Sequence, residues 1–319
     1  MALGEFELIR RYFTRPARRV ALGVGDDCAL VAPAPGMQLA VSSDMLVEGR
    51  HFVSTVAPDR LGHKALAVNL SDLAACGARP LAFTLAIALP RADDAFLAGF
   101  AHGLYALADS HDCELIGGDT THGPLTVCIT VFGEVPQGMA LLRSGARAGD
   151  DIWLSGRVGD ARLALEVMRG ALPASAARFD EVRAAMELPQ PRVALGLALR
   201  GIASSAIDVS DGLLGDLSHV LRASAVGATV EVDAVPRSAA MQAQPLAWQR
   251  LCTLAGGDDY ELVFTAAASQ ADAVRGAAMH AGVPVTRIGR IDSRPGLRLR
   301  DGAGRDVDND FGSFDHFAA

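Results

Sequence analysis

The spacing of hydrophobic and polar residues predicts alternating helices and strands in the first half of the chain. Apolar residues at helical spacing predict helices over residues 3–13, 60–76 and 92–110. Short apolar or β-branched runs that end at polar residues, glycine or proline predict strands over residues 38–43, 80–89, 114–121 and 125–134. This pattern places Asp44 at the end of a strand and makes Gly117-Gly118-Asp119 a turn.

The second half continues this alternation without a strict repeat. Strands are predicted over residues 151–154, 228–232 and 261–265, and helices over residues 160–169, 193–200 and 211–224. The polar, glycine-rich residues 145–150 indicate a domain boundary. The pattern therefore predicts an α/β chain of the α+β type with two domains, residues 1–145 and 146–319. Residues 301–310 are polar and are predicted to form a surface loop.

Composition and charge narrow the classes of function. The chain has 319 residues with 29 basic and 37 acidic side chains, a formal charge of −8, which argues against nucleic acid as a partner. The five cysteines are widely spread with no C-x-x-C pair, so neither structural zinc nor a disulfide framework is expected. The longest apolar stretch is half the length of a membrane span, and no signal peptide is evident. We therefore expect no membrane association and a reducing cytoplasm.

Carboxylates recur on segments that contain glycine or serine. Four such segments are residues 25–27, 42–44, 117–119 and 208–212, and Ser71-Asp72 is a fifth on or beside a helix. Aspartate beside glycine or serine commonly caps a helix or forms a turn, and that interpretation remains open for each segment alone. Taken together, these segments carry an excess of negative charge. Residues 20–59 contain five acidic side chains and one arginine, and residues 201–233 also contain five acidic side chains and one arginine.

Unbalanced carboxylates that converge require cations. Two carboxylates at about 4 Å repel by roughly 4 kcal/mol at an effective dielectric constant of about 20. Oxygen ligands of this kind suit Mg²⁺, which commonly bridges carboxylates to substrate phosphates. A nucleotide or another phosphoester is therefore the expected ligand, provided that these segments converge in the fold.

The common nucleotide and hydrolase signatures are absent. Cys28 occupies the position where G-x-G-x-x-G requires glycine, and no G-x-x-x-x-G-K-[ST] motif occurs. A Ser-His-Asp hydrolase lacks support because there is no G-x-S-x-G sequence. Lys64 is the only lysine, and the sequence allows either a contact to phosphate or a solvated helix position.

Read in order, the motifs resemble those of the thiamine-monophosphate kinase family. This family belongs to a superfamily with aminoimidazole ribonucleotide synthetase and selenophosphate synthetase. The match spans nearly the whole chain and comprises residues 25–29, 42–52, 64–75, 117–121, 208–213 and 256–262. The ordered set is specific, although any single segment would be weak.

The resemblance implies an activity and a fold. The activity is direct transfer of the γ-phosphate of ATP to thiamine monophosphate, which gives thiamine diphosphate with several Mg²⁺ ions and no covalent enzyme intermediate. The fold is that of the aminoimidazole ribonucleotide synthetase superfamily. Its N-terminal α/β domain binds ATP and metal, and its sheet pairs across a homodimer to form a β-barrel. Its C-terminal α/β domain closes the active-site cleft.

The resemblance also implies roles for individual residues. The Mg²⁺ ligands would be Asp27, Ser42, Ser43, Asp44, Asp72, Asp119, Asp208 and Asp211. ATP would contact Gly118, Asp119, Arg143 and Ser210, and the thiamine substrate would contact His51, Asp258 and Phe314. Asp44, Asp208 and Arg143 would contribute most to catalysis. Packing at a strand end remains open for His51, and core packing remains open for Phe314.

Two positions depart from the family pattern. Asp258 stands where the family usually has glutamate, so its carboxylate reaches one methylene less far. Phe314 keeps an aromatic ring before Asp315-His316-Phe317 but has no hydrogen-bond donor, which leaves stacking on the thiamine ring.

Two other functions compete with the kinase. A synthetase of the superfamily that acts on a ribonucleotide or selenide is one, but selenide chemistry requires a reactive cysteine near the N-terminus and residues 1–19 have none. A non-catalytic nucleotide-binding partner is the other, and the intact carboxylates at every matched motif argue against it.

Overall fold

The computed structural model describes residues 4–25 and 27–312. The chain divides into two compact units. The first comprises the residues up to Leu73 together with Ala78–Gly138, and the second comprises Ala74–Gly77 together with the residues from Met139 onward. No helix among the described residues has both the length and the apolarity to span a bilayer.

The first unit is built on a four-stranded sheet. Its strands are β1 (Met37–Val47), β2 (Arg79–Leu89), β3 (Glu114–His122) and β4 (Thr126–Pro136), in the order β1-β4-β2-β3. Only β2 and β3 are parallel. The helices are α1 (Glu5–Leu8), continued by a π-helical segment Ile9–Phe13, then α2 (Pro58–Ala75) and α3 (Asp94–Ser110).

Leucines at helical spacing give this unit its core. Leu66, Leu70 and Leu73 recur on one face of α2 and are almost completely buried, as are Phe83 of β2 and Ile129 of β4. Each such side chain stabilises the fold by about 2 kcal/mol through the apolar surface that it removes from water. The alternation along β4, in which every second residue is buried, shows that only one face of the sheet packs against this core.

The second unit is built on a seven-stranded mixed sheet. Its strands are β5 (Asp150–Ser155), β6 (Ser205–Asp208), β7 (Gly227–Glu231), β8 (Leu262–Ala267), β9 (Val285–Asp292), β10 (Gly296–Arg300) and β11 (Asp306–Val307). The strand order is β11-β10-β7-β9-β5-β8-β6. The helices are α4 (Asp160–Met168), α5 (Ala176–Glu187), α6 (Val193–Ala198), α7 (Leu213–Ser224), α8 (Ala239–Gln242), α9 (Leu246–Ala255) and α10 (Ala271–Ala281), with a 3₁₀ turn at Ala268–Gln270.

The mixed α/β character and most of the predicted elements are confirmed, with three local errors. Asp44 does not end a strand, because β1 continues to Val47. Gly117-Gly118-Asp119 is not a turn, because β3 runs through it and pairs with β2. The tail is not entirely loop, because β11 pairs with β10. All five cysteines are free thiols.

Candidate active site

In the first unit, β1 and α2 bring polar side chains together. The Ser42 hydroxyl donates to the Asp72 carboxylate at 2.5 Å, and the Asp44 backbone N–H donates to Asn69 Oδ1 at 3.1 Å. Ser42 and Asp44 are two residues apart on a strand, and Asn69 and Asp72 are three apart on a helix, so each pair shares a face. The structure therefore groups Ser42, Asp44 and Asp72, three of the predicted metal ligands.

Ser43 points to the other face of β1. Its hydroxyl lies 2.9 Å from Thr130 Oγ1 and donates to the Ile129 carbonyl at 3.2 Å. Neighbouring residues on a strand alternate between faces, so Ser43 is directed away from Ser42 and Asp44. Its role as a metal ligand stays a prediction.

The third strand carries Gly118 and Asp119. Gly118 has φ +147°, and a Cβ there would lie 1.8 Å from the Leu85 carbonyl oxygen, so the close approach of β3 to β2 requires glycine. The register aligns Asp44, Ile129, Leu85 and Gly118 in one row across the sheet. Three strand spacings separate the backbones of Asp44 and Gly118 by roughly 14 Å. The exposed Asp119 lies one residue further along β3.

The segment after β1 is fastened by a buried lysine. His51 Nδ1 accepts from the Val47 N–H at 3.0 Å, which places the proton of the neutral ring on Nε2. Lys64 Nζ donates to the His51 carbonyl at 3.2 Å. Lys64 is only 2% exposed, so the alternative of a solvated helix position is wrong. The apolar neighbours of Lys64 on α2 are the feature of the sequence that indicates this burial.

Two buried glutamates fasten the ends of the N-terminal segment that carries Asp27. Glu114 of β3 accepts from the backbone N–H groups of Arg18 and Arg19 at 3.0 and 3.1 Å. Glu134 of β4 accepts from the Ala34 N–H at 3.0 Å and pairs with Arg79. Burial tends to raise the pKa of Glu134, but the Ala34 amide and the Arg79 guanidinium outweigh it and hold that pKa below its usual value. Asp27 itself is exposed in a bend.

In the second unit, Asp208 ends β6 and leads into the turn before α7. Asp208 is buried, whereas Asp211 is exposed. One oxygen of Asp216, on the first turn of α7, accepts from the N–H groups of Ser210, Asp211 and Gly212 at 3.1, 3.0 and 3.1 Å. Burial raises the pKa of Asp216 to about 7, against the opposing effect of those amides. In the sequence, Asp216 is only one of the five acids in residues 201–233.

Residues 256–260 run alongside this turn. The Asp258 N–H donates to the Ser210 carbonyl at 2.8 Å, and the Tyr260 N–H donates to the Val209 carbonyl at 2.9 Å. A Cβ on Gly257 would lie 2.3 Å from the Ser210 carbonyl oxygen, so glycine is required for the approach. The structure thus brings Asp258, predicted to bind substrate, beside Ser210, predicted to bind ATP.

Carboxylates on either side of Tyr260 anchor this segment. Both oxygens of Asp259 accept from the Gly159 N–H at 2.9 Å, and burial raises the pKa of Asp259 well above its ordinary value. Glu261 forms a two-pronged ion pair with Arg192, at 2.6 and 2.5 Å, and accepts from the Ser155 hydroxyl at 2.5 Å. These interactions fix the backbone on which Asp258 is carried.

Arg143 lies in an exposed cationic group near Asp211. Arg222 contacts His219 Nδ1 at 3.0 Å, and the Ser224 hydroxyl donates to the Arg143 carbonyl at 3.3 Å. Partial burial lowers the pKa of His219, the charges of Arg222 and Arg143 lower it further, and Asp211 opposes them. The guanidinium of Arg143 is therefore close enough to His219 to affect its protonation, on the side of the unit that carries Asp211.

The donors fit magnesium by their chemistry. Every predicted ligand offers a carboxylate or hydroxyl oxygen, and Mg²⁺ needs only one or two protein carboxylates when water and substrate phosphates complete its shell. Within residues 4–25 and 27–312, no group of three or more His, Cys, Asp or Glu side chains could hold a metal. Phe314, predicted to contact the thiamine substrate, lies outside the described residues.

Both halves of the chain match known domain families. Residues 25–135 match the family described as AIR synthase related protein, N-terminal domain, and residues 147–302 match its C-terminal domain counterpart. Together they cover most of the chain and both structural units.

Full-length relatives are also similar. Thiamine-monophosphate kinase of Salmonella typhimurium is 46% identical, with coverage of 100% of this chain and 99% of the relative. The protein of that name from Escherichia coli K12 is 44% identical with the same coverage. The crystal structure of thiamine-monophosphate kinase from Stenotrophomonas maltophilia K279a has a TM-score of 0.87 and 46% identity, and covers 96% of this chain and 99% of that one.

Proposed function

The chain belongs to the thiamine-monophosphate kinase family, and from this premise we propose that it phosphorylates thiamine monophosphate with ATP to give thiamine diphosphate. An oxygen of the substrate phosphate forms a bond to the γ-phosphorus of ATP, the bond from that phosphorus to the β–γ bridging oxygen breaks, and ADP leaves. This is the last step of thiamine diphosphate biosynthesis. The observation that carries the proposal is 46% identity to a kinase of this name along the whole chain.

Negative charge is the main obstacle to this reaction, because both reactants are phosphates. Mg²⁺, when bound, neutralises phosphate charge. We assign its ligands to Asp27, Ser42, Ser43, Asp44, Asp72, Asp119, Asp208 and Asp211. A single ion with ligands at about 2.1 Å cannot contact side chains whose strands lie roughly 14 Å apart, so the spacing of Asp44 and Asp119 supports several ions.

The other residues bind and orient the two substrates. Arg143, whose guanidinium offers a fork of donors, binds the ATP phosphates, together with Gly118, Asp119 and Ser210. His51, Asp258 and Phe314 bind thiamine monophosphate. Val47 fixes the ring of His51 through Nδ1, so a neutral His51 presents Nε2 as its donor. The hydrogen bond between Asp258 and Ser210 supports neighbouring positions for the two substrates.

The open face of the first sheet supports a homodimer. On β1, Val41 and Met45 are apolar yet 56% and 55% exposed, and they lie on the face opposite the core. We propose that this face pairs with its equivalent in a second copy to form a β-barrel. Val41→Asp should convert the dimer to a monomer in light scattering, and Asp272→Asn, at a side chain that is 99% exposed, should not. A monomeric wild-type protein would refute this part.

Two further assignments accompany the kinase function. The free thiols support a reducing cytoplasm as its location. The domain division is proposed after residue 145, within the polar segment that precedes β5.

A phosphate-acceptor screen tests the activity. Purified protein with Mg²⁺ and ATP should phosphorylate thiamine monophosphate, and should leave thiamine and aminoimidazole precursors unchanged. Thiamine diphosphate and ADP should form in equal amounts, which chromatography can measure. Turnover of an aminoimidazole precursor in place of thiamine monophosphate would favour the synthetase alternative, and ATP binding without turnover of any acceptor would favour the non-catalytic one.

A further inference from the structure

Asp216 accepts hydrogen bonds from the backbone N–H groups of the turn between β6 and α7. Its side chain is 3% exposed, and a single oxygen, Oδ2, accepts all three N–H groups of residues 210–212. The first N–H groups of a helix and of the turn before it have no partner within the helix, so a side chain, water or a ligand has to accept from them. Here the carboxylate of Asp216 satisfies these three groups from within the same unit.

The turn nevertheless carries residues assigned to ligands. Ser210 and Asp211 are proposed to contact ATP and Mg²⁺, and their own amides point to Asp216. The backbone from which their side chains project is thereby held in one conformation. The Ser210 carbonyl is fixed as well, because it accepts from the Asp258 N–H at 2.8 Å. A side chain that holds three consecutive amides restricts the φ and ψ angles of the whole turn.

We propose that Asp216 is a positioning residue that orients Ser210 and Asp211 for magnesium-bound ATP. This inference rests on the proposed kinase function, which supplies the ligand. It requires an oxygen acceptor at residue 216, and it does not require a negative charge there, since one oxygen receives all three bonds. Asparagine therefore substitutes for Asp216, whereas alanine does not.

The variants Asp216→Ala and Asp216→Asn test the proposal in the full-length protein. Asp216→Ala should raise the Mg²⁺ and ATP concentrations for half-maximal rate about 10-fold or more, because the ligands then bind to a turn that is no longer held in one conformation. A tenfold change corresponds to about 1.4 kcal/mol of binding free energy. Asp216→Asn should stay within about 3-fold of wild type. Glu187→Ala is the matched control, since it removes an equally buried carboxylate, paired with Arg183 on α5, and should lower thermal stability alone.

Two results would overturn the proposal. One is wild-type Mg²⁺ and ATP dependence in Asp216→Ala, and the other is an equal defect in Asp216→Asn and Asp216→Ala. If the alanine variant does not fold, Asp216→Glu replaces it, because the longer side chain keeps the charge but displaces the acceptor and should raise both half-saturation values. Calorimetric titration with Mg²⁺ and a non-hydrolysable ATP analogue measures binding even if the wild-type protein lacks kinase activity. It therefore separates failure of the proposed kinase function from failure of the role given to Asp216.

Discussion

Ser42 and Asp72 are joined by a 2.5 Å hydrogen bond that links β1 to α2 within the first unit. The bond has two consequences. It holds the Asp72 carboxylate against β1, two residues along the strand from Asp44, whose backbone N–H donates to Asn69. It also means that binding a cation at Ser42 and Asp72 replaces an existing contact, so the Ser42 hydroxyl has to turn its proton away from the carboxylate when both oxygens serve as ligands.

Removal of one metal-binding carboxylate should abolish most of the activity. Asp44→Asn or Asp208→Asn keeps the side-chain shape and removes a negative oxygen ligand, so we expect turnover to fall about 10²–10³-fold with little change in thermal stability. Steady-state kinetics over a range of Mg²⁺ concentrations measures this loss. Asp272→Asn, at an exposed side chain in the first turn of α10, is the control and should behave as wild type. Full activity in both active-site variants would refute the metal assignment.

Arg143 should contribute to ATP binding through its charge and its fork geometry. Arg143→Ala should raise the KM for ATP about 10-fold, and Arg143→Lys should recover only part of the loss because an ammonium group cannot bind phosphate in the same bidentate way. Arg147→Ala removes an exposed arginine four residues further along and serves as the control. Equal KM values for ATP in Arg143→Ala and Arg147→Ala would contradict the role given to Arg143.

Asp258 offers a test that separates charge from backbone conformation. Its φ of +72° is one that Asp and Asn tolerate better than most residues, so Asp258→Asn should fold normally. Loss of the carboxylate should raise the KM for thiamine monophosphate several-fold, because thiamine carries a positive ring, and leave the KM for ATP unchanged. Asp258→Glu restores the usual family residue and should keep a low KM. An unchanged KM for thiamine monophosphate in Asp258→Asn would remove Asp258 from the substrate site.

Apolar runs and hydrophobic periodicity are enough to predict α2, β2, β4 and the α/β class, because most residues of α2 and β2 are buried and β4 buries every second residue over most of its length. It fails at Gly117-Gly118, because glycine predicts a turn there, whereas the structure requires Gly118 for the contact between β3 and the Leu85 carbonyl. It also failed at Asp44, because alternating polar residues on a half-exposed strand resemble a loop. Such errors arise from contacts between segments distant in sequence, which local spacing does not contain.

The motif residues show the same limit. The order of the acidic segments was sufficient to identify the family, and family membership is confirmed by the full-length relatives. The residues that hold those segments, Asp216, Glu114 and Glu134, were not identified. Each is an ordinary acid in the sequence, and only the fold shows from which backbone N–H groups it accepts hydrogen bonds.

Glu134 should make the stability of the protein depend on pH in the acidic range. Its pKa lies below the ordinary value of 4.5, so the unfolded chain binds a proton at this residue more readily than the folded chain. The resulting stabilisation is present above about pH 4.5 and is lost as the pH falls through the lowered pKa of the folded protein. Glu134→Gln keeps an oxygen for the Ala34 N–H, removes the charge that faces Arg79, and should cost about 1.5 kcal/mol near neutral pH.

Urea unfolding of both proteins between about pH 3 and about pH 7 measures this contribution. The free energy of unfolding should differ most near neutral pH, and the two curves should converge as the pH falls, because wild-type Glu134 then becomes protonated and resembles glutamine. Asp272→Asn, whose side chain is exposed, should follow wild type at every pH. Parallel curves for wild type and Glu134→Gln would show that the fold does not stabilise the charged form of the Glu134 carboxylate. Glu134 would then hold residue 34 against β4 through its hydrogen bond alone.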